Sequence, residues 1–178
     1  MKIFVTTHRL ILREILPTDL EGMFELDSDP EVHRFLGNQP VKTREESKAL
    51  INYIRQQYID HGIGRWAITD KQTGEFMGWT GLKFVTKETN NHKDYYDLGY
   101  RLIKRFWGKG IATETAVATL DYAFNTMKIP EVFAMAARYN LGSNRILQKT
   151  GLHLMDTFSL EGVEHNWYEL TRLEYLSK

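Results

Sequence analysis

Arg105-Phe106-Trp107-Gly108-Lys109-Gly110-Ile111-Ala112-Thr113-Glu114 is the stretch whose reading decides the rest of this chain. It joins a strand pattern, Tyr95 to Ile103, to a long helical pattern, Ile111 to Met127. Two glycines two apart let the backbone turn tightly and bring N–H groups to a ligand with no Cβ in the way. A helix N-terminus adds unpaired N–H donors and partial positive charge. Together they make an anion site suited to a phosphate or pyrophosphate, and Arg105 and Lys109 add charge beside it. Two well-known phosphate loops do not fit. A dinucleotide turn needs a third glycine where Thr113 stands, and an acidic ribose ligand near Ala136 and Ala137. A Walker A loop needs Ser or Thr after its lysine, and Lys109 is followed by Gly110. Two readings of the six residues stay open: a ligand-free strand-to-helix turn, and the spacing Arg105-x-x-Gly108-x-Gly110 as a cofactor loop.

Upstream, Arg9 to Ile15 alternates apolar with charged residues, a strand signal, and Pro17-Thr18-Asp19 leads into a short helix over Leu20 to Leu26. Asp29-Pro30 opens a second short helix ending near Gly37. Thr43 and Glu46 form a capping box for a helix to about Asp60, striped by Leu50, Ile54 and Tyr58. Arg65 to Thr69 and Glu75 to Leu82 read as a hairpin around Lys71 to Gly74. Lys87 to Lys93 is an exposed loop. Downstream, Val132 to Ala137 is a strand, Leu141 to Thr150 a helix, Leu152 to Ser159 a strand, and Trp167 to Leu173 the last strand after Gly162. Helices and strands mix without a regular βαβ repeat, so the fold class is mixed α/β (α+β).

The chain has 178 residues, 23 Lys+Arg against 23 Asp+Glu, and no cysteine. That length, with four prolines and no linker-like stretch, fits one domain over residues 1–178. Absence of cysteine excludes disulfides, thiolate metal sites and a cysteine nucleophile. The balanced charge speaks against a nucleic-acid binder, although not against a local basic pocket. The six histidines form no metal-ligand spacing with nearby carboxylates. No secretory signal and no apolar run near the roughly 20 residues of a membrane span are visible, so a cytoplasmic protein is expected.

Five motifs in order carry a resemblance to the GNAT acetyltransferases, and within them to the RimJ/RimL-like group. They are Thr7-x-Arg9-Leu10-Ile11-Leu12-Arg13, Gly78-x-x-Gly81-Leu82, Leu98-Gly99-Tyr100, the loop Trp107 to Glu114, and Asn140-x-x-Ser143-x-x-x-Leu147-x-Lys149-x-Gly151-Leu152. The resemblance implies a GNAT fold: a mostly antiparallel twisted sheet of about seven strands with one splayed pair, flanked by about four helices. It implies acetyl-CoA as co-substrate, with no metal. Leu102 and Ile103 would offer backbone to the pantetheine arm. The N–H groups of about Phe106, Trp107, Gly108, Lys109, Gly110, Ile111 and Ala112 would hold the pyrophosphate, with Arg105 beside them. Asn140 would touch the coenzyme arm, and as a good N-cap it would also start the following helix.

Direct attack of an amine on a thioester needs a base, because an amine of pKa about 8 to 10 is mostly protonated at neutral pH. The tyrosine that serves many GNAT enzymes as donor to the leaving thiolate is replaced here by Leu147. Ser143 matches the serine proposed for that part in RimJ/RimL-like enzymes; its plainer reading is a first-turn helix residue. Asp97, two residues before Gly99, is the candidate base, or a solvated strand carboxylate. Glu114 reads better as a complement to the helix dipole. Phe35, Trp79 and Tyr95 are candidate acceptor-binding residues, although strand aromatics usually belong to the core. The expected function is acetyl transfer to a primary amine, on a protein N-terminus or a small molecule, by a monomer or homodimer that binds neither nucleic acid nor membrane. A non-catalytic acyl-CoA-binding module on the same fold is the alternative.

Overall fold

A single sheet of eight strands organises the computed structural model, which describes residues 1–177. The strands are β1 (Ile3–Thr6), β2 (Leu10–Glu14), β3 (Arg65–Asp70), β4 (Phe76–Val85), β5 (Tyr95–Leu102), β6 (Glu131–Ala137), β7 (His153–Leu160) and β8 (Val163–Thr171). Their spatial order is β1-β2-β3-β4-β5-β6-β8-β7. Every neighbouring pair is antiparallel except β5 and β6, which run parallel and pair at one position, Asp97 opposite Phe133. Beyond it the two strands separate.

Among the described residues, five α-helices accompany the sheet: α1 (Leu20–Ser28), α2 (Arg44–His61), α3 (Ile111–Asp121), α4 (Leu141–Lys149) and α5 (Arg172–Leu176). Half of the capping box expected at the start of α2 forms, because the Glu46 carboxylate accepts from the Lys42 N–H at 2.7 Å and not from that of Thr43. The Thr43 side chain accepts from the Glu46 N–H, and Gly62, at φ 69°, closes the helix. Buried Ser47, Ile51 and Ile54 face inward. Leu12, Ile68, Leu82 and Leu98 from the sheet meet Met23, Leu26, Ile51 and Leu120 from the helices in one continuous core. Most strands and helices turn one face to this cluster, whereas β7 stays largely exposed and packs Phe158 against Trp167.

The expected mixed α/β class holds, with differences in detail. There are eight strands instead of about seven, because Ile3–Thr6 pairs as an edge strand with β2 although it is only four residues long. The short helix expected after Pro30 is a 3-10 turn, Val32–Phe35. The helix expected over Ile111 to Met127 is α-helical only to Asp121 and continues as a π turn, Tyr122–Thr126, in which Met127 N–H bonds five residues back to Tyr122. Arg172 Nε donates to the Phe124 carbonyl of that turn at 2.8 Å. The last strand ends at Thr171, where a reciprocal capping box with Glu174 starts α5.

What positions the site is the opening between β5 and β6. Its closed end is pinned by an aromatic cluster: Tyr95, Phe133 and Trp167 have ring centroids 5.3 to 5.5 Å apart. His92 stacks on Trp167 at 4.9 Å. Such contacts contribute about 0.5–1.5 kcal/mol each beyond burial. Among the described residues, no helix is long and apolar enough to cross a membrane.

Candidate active site

The loop after β5 is built as its glycines predict. Gly108 at φ 71° and Gly110 at φ 74° are left-handed, and Gly110 is the N-cap of α3. A Cβ at Gly108 would meet no atom within 4 Å, so the space beside Gly108 is open. Among the described residues, the N–H groups of Gly108, Lys109, Gly110, Ile111, Ala112 and Thr113 make no hydrogen bond. Phe106 and Trp107 N–H groups, by contrast, turn back to Ile103 and Lys104. Six unmatched donors at a helix start, open beside Gly108 and flanked by the Arg9 guanidinium at Gly110, fit a pyrophosphate.

The loop is clamped from the far edge of the sheet. Arg9 donates through Nη2 to the Lys109 carbonyl at 2.8 Å and through Nε to Glu114 at 2.7 Å. Thr7 Oγ1 donates to the other Glu114 oxygen at 2.6 Å. Glu114 is thus an anchor for the loop. Arg105 lies elsewhere: its guanidinium pairs with Glu25 of α1 and with Glu75 at 2.8 Å, over the Phe106 ring. Those two carboxylates compensate its charge.

At the opening, Ile103 N–H bonds to Met77 C=O at 3.0 Å and its carbonyl accepts from Phe106. Hydrogen-bonded and free positions alternate along an antiparallel edge, so the amides of Tyr100 and Leu102 turn away from β4 toward the gap. The Leu102 carbonyl accepts from the Trp107 indole at 2.8 Å, leaving its N–H toward the gap. Of the two backbone partners expected for the pantetheine arm, Leu102 faces the opening and Ile103 faces β4. Gly78 makes the β4–β5 contact possible, since a Cβ there would sit 2.1 Å from the Arg101 carbonyl oxygen.

Across the gap, the Asn140 side chain caps α4 by accepting from Ser143 N–H at 3.1 Å. Ser143 is half-buried in that first turn. Asn144, which the sequence reading did not single out, fixes the turn from beneath. Its Nδ2 donates to the Ala137 and Asn140 carbonyls at 2.9 and 2.8 Å. Its Oδ1 accepts from Asn166 at 2.8 Å and from the Tyr168 phenol at 2.7 Å. Tyr100, likewise not singled out for chemistry, reaches Ser143 from β5.

Asp97 is buried on the opposite face of β5 and is ion-paired through Oδ2 with Arg65 of β3. Burial pushes its carboxyl upward, and the Arg65 and Lys83 charges pull it back. Gly99 leaves the room that the guanidinium occupies, as a Cβ there would lie 2.7 Å from Arg65 Nη2. Trp79 sits between Arg65 and Arg101, whose guanidinium carbons lie 5.2 and 4.9 Å from its ring. Arg101 in turn holds buried Asp27 of α1, which also has His33 Nε2 at 3.4 Å. Asp97 and Trp79 are thus linked through Arg65 on one face of the sheet. Half-buried Phe35 lies under Arg34, while Tyr95 belongs to the buried aromatic cluster. Among the described residues, no group of three or more His, Asp or Glu side chains forms a metal-ligating set.

A family model described as an acetyltransferase (GNAT) domain matches residues 9–153. The chain is 31% identical over 154 residues to the uncharacterized protein YkkB of Bacillus subtilis (strain 168), covering 86% of this chain and 87% of that protein. A spermidine N-acetyltransferase from Vibrio cholerae, solved with CoA and spermine, superposes with a TM-score of 0.76 at 18% identity, over 96% of this chain and 99% of that one. RimL, described as a ribosomal L7/L12 alpha-N-protein acetyltransferase and solved with CoA, gives a TM-score of 0.78 at 19% identity, over 96% and 98%. At these identities the two structures speak for the fold alone. With the family model spanning most of its length, the chain belongs to the GNAT acetyltransferase family and is an acetyl-CoA-dependent N-acetyltransferase.

Proposed function

We propose that the chain transfers the acetyl group of acetyl-CoA to a primary amine, of a protein N-terminus or a small molecule, by direct attack within the cytoplasm. The observation that carries this reading is the row of six unmatched N–H groups over 108–113, set at the mouth of the β5–β6 opening. In this reading those amides hold the pyrophosphate with Lys109 nearby, and the Leu102 N–H and Asn140 guide the pantetheine arm. The thioester then lies between Ser143 on one side and Asp97 on the other. Asp97 takes the amine proton directly or through a water at its Oδ1, which has no partner among the described residues. Burial that raises the carboxyl makes it a stronger base. As the C–N bond forms and the C–S bond breaks, Ser143 offers its hydroxyl to the departing sulfur. Phe35 and Trp79 border the acceptor, and Tyr95 supports that wall from the aromatic cluster.

The two CoA-bound neighbours are named for spermidine and for a protein α-amino group, both amines. The test is acetyl-CoA turnover, read as free thiol, against peptide N-termini, polyamines, aminoglycosides and amino acids. Turnover with at least one class is expected. Tight CoA binding without turnover on any of them would favour a non-catalytic acyl-CoA-binding module.

A further inference from the structure

Tyr100 and Ser143 are 43 positions apart and meet across the β5–β6 opening. The Tyr100 hydroxyl donates to the Ser143 carbonyl at 3.1 Å and lies 3.1 Å from Ser143 Oγ. Side chains alternate along a strand, so Tyr100 points to the opposite face from Asp97 and Arg101. The phenol therefore sits on the side of the opening that α4 covers, away from the candidate base.

A phenol carries one proton and a serine hydroxyl one, and three oxygens share them here. When Tyr100 donates to the Ser143 carbonyl, the serine proton turns toward the phenol oxygen. When Tyr100 donates to Ser143 Oγ, the serine proton is directed outward, into the opening. We propose that Tyr100 is a positioning residue for acetyl transfer, which donates to Ser143 Oγ and so aims the serine O–H at the sulfur of the departing coenzyme. The inference rests on the acetyl-transfer reading above. The amine nitrogen forms its bond to the acetyl carbon, the C–S bond breaks, and its electron pair stays on sulfur, where it accepts the Ser143 hydrogen bond. The amine proton leaves to the base. No proton leaves Tyr100: burial raises its phenol far above neutrality, so the residue remains a donor throughout.

The test is a double-mutant cycle with Tyr100→Phe, Ser143→Ala and both together, measuring kcat, KM for acetyl-CoA and thermal melting. Tyr100→Phe is expected to lower kcat about 10-fold, the worth of one aimed hydrogen bond, with KM for acetyl-CoA within about 2-fold. The double variant is expected to match Ser143→Ala alone, because the tyrosine acts through the serine. Tyr100→4-aminophenylalanine keeps the ring and a donor, and is expected to recover kcat to within about 3-fold of wild type. This variant also supplies the reading should Tyr100→Phe melt early. Full kcat in Tyr100→Phe, costs that multiply in the double variant, or no recovery by the amino analogue would each overturn the positioning role. A wild-type protein inactive on every acceptor would overturn the transfer reading itself, and this inference with it.

Discussion

Asn144→Ala is expected to be among the most damaging single polar truncations in this chain, and its cost follows from four bonds. The residue is 8% exposed. It donates to the Ala137 and Asn140 carbonyls and accepts from Asn166 and the Tyr168 phenol, all at 2.7 to 2.9 Å. Each such bond contributes about 0.5–1.5 kcal/mol net, and a buried partner left unmatched costs about 1–3 kcal/mol. Tyr168 is fully buried and loses its acceptor. The central expectation is a loss of about 3–5 kcal/mol, a large fraction of the 5–15 kcal/mol typical of a domain. For a domain near this size that is a fall in Tm of about 10 °C. Urea denaturation followed by tryptophan fluorescence gives the number. Tyr168→Phe, which removes one of the four bonds and leaves Asn144 its other partners, should cost only about 1 kcal/mol. Because Asn144 seats the first turn of α4, the folded fraction of Asn144→Ala should also show lowered kcat. A loss below about 1 kcal/mol, or one no larger than that of Tyr168→Phe, would refute the argument.

Three further outcomes are expected. Gly78→Ala places a Cβ 2.1 Å from the Arg101 carbonyl at φ +143°, so the β4–β5 ladder must part and the variant should lose at least about 3 kcal/mol by urea titration. Arg9→Ala releases the Lys109 carbonyl and Glu114, and because Arg9 is half exposed the effect should be modest: about a 3- to 10-fold rise in the Kd for CoA by calorimetry, with stability nearly unchanged. Stability should also fall as pH rises above about 10, since burial lifts the Tyr58 and Tyr100 phenols above the unfolded value, so the folded chain keeps protons that the unfolded chain gives up. The loss should approach about 1.4 kcal/mol per pH unit per tyrosine, and urea midpoints at pH 9 and pH 11 in which the two do not differ would contradict it.

The parts of this molecule that were legible beforehand are those encoded within a few residues. The Gly108-x-Gly110 turn demands left-handed backbone at fixed places, and it forms there. Thr43 and Glu46 cap α2 across three residues. Thr171 and Glu174 have the same spacing, but a strand pattern running to Leu173 hid the helix they start. Ile3–Thr6 is too short to show alternation and becomes a strand only because β2 offers an edge. What stayed hidden was mostly long-range pairing. Arg9 with Glu114, Arg101 with Asp27 and Tyr100 with Ser143 lie 105, 74 and 43 positions apart, and no periodicity encodes them. Arg105 illustrates the point: its position beside the loop was readable, whereas its pairing with Glu25 and Glu75 depends on how α1 and the β3–β4 hairpin fold back. The opening itself comes from a parallel pair that the aromatic cluster closes at one end only.

The most direct measurement is a calorimetric titration of CoA into the wild-type chain and into Gly110→Asp. At φ 74° aspartate tolerates the backbone better than most residues, so the variant should fold, as circular dichroism can verify. It adds a side chain and a negative charge at the N-cap of α3, where a Cβ would lie 3.6 Å from Arg9 Nη2, beside the amides that receive the pyrophosphate. Saturable one-site binding to the wild type is expected, with a Kd weaker by about 100-fold or more in the variant, or about 2.7 kcal/mol. Equal affinity in the two folded proteins would contradict this expectation.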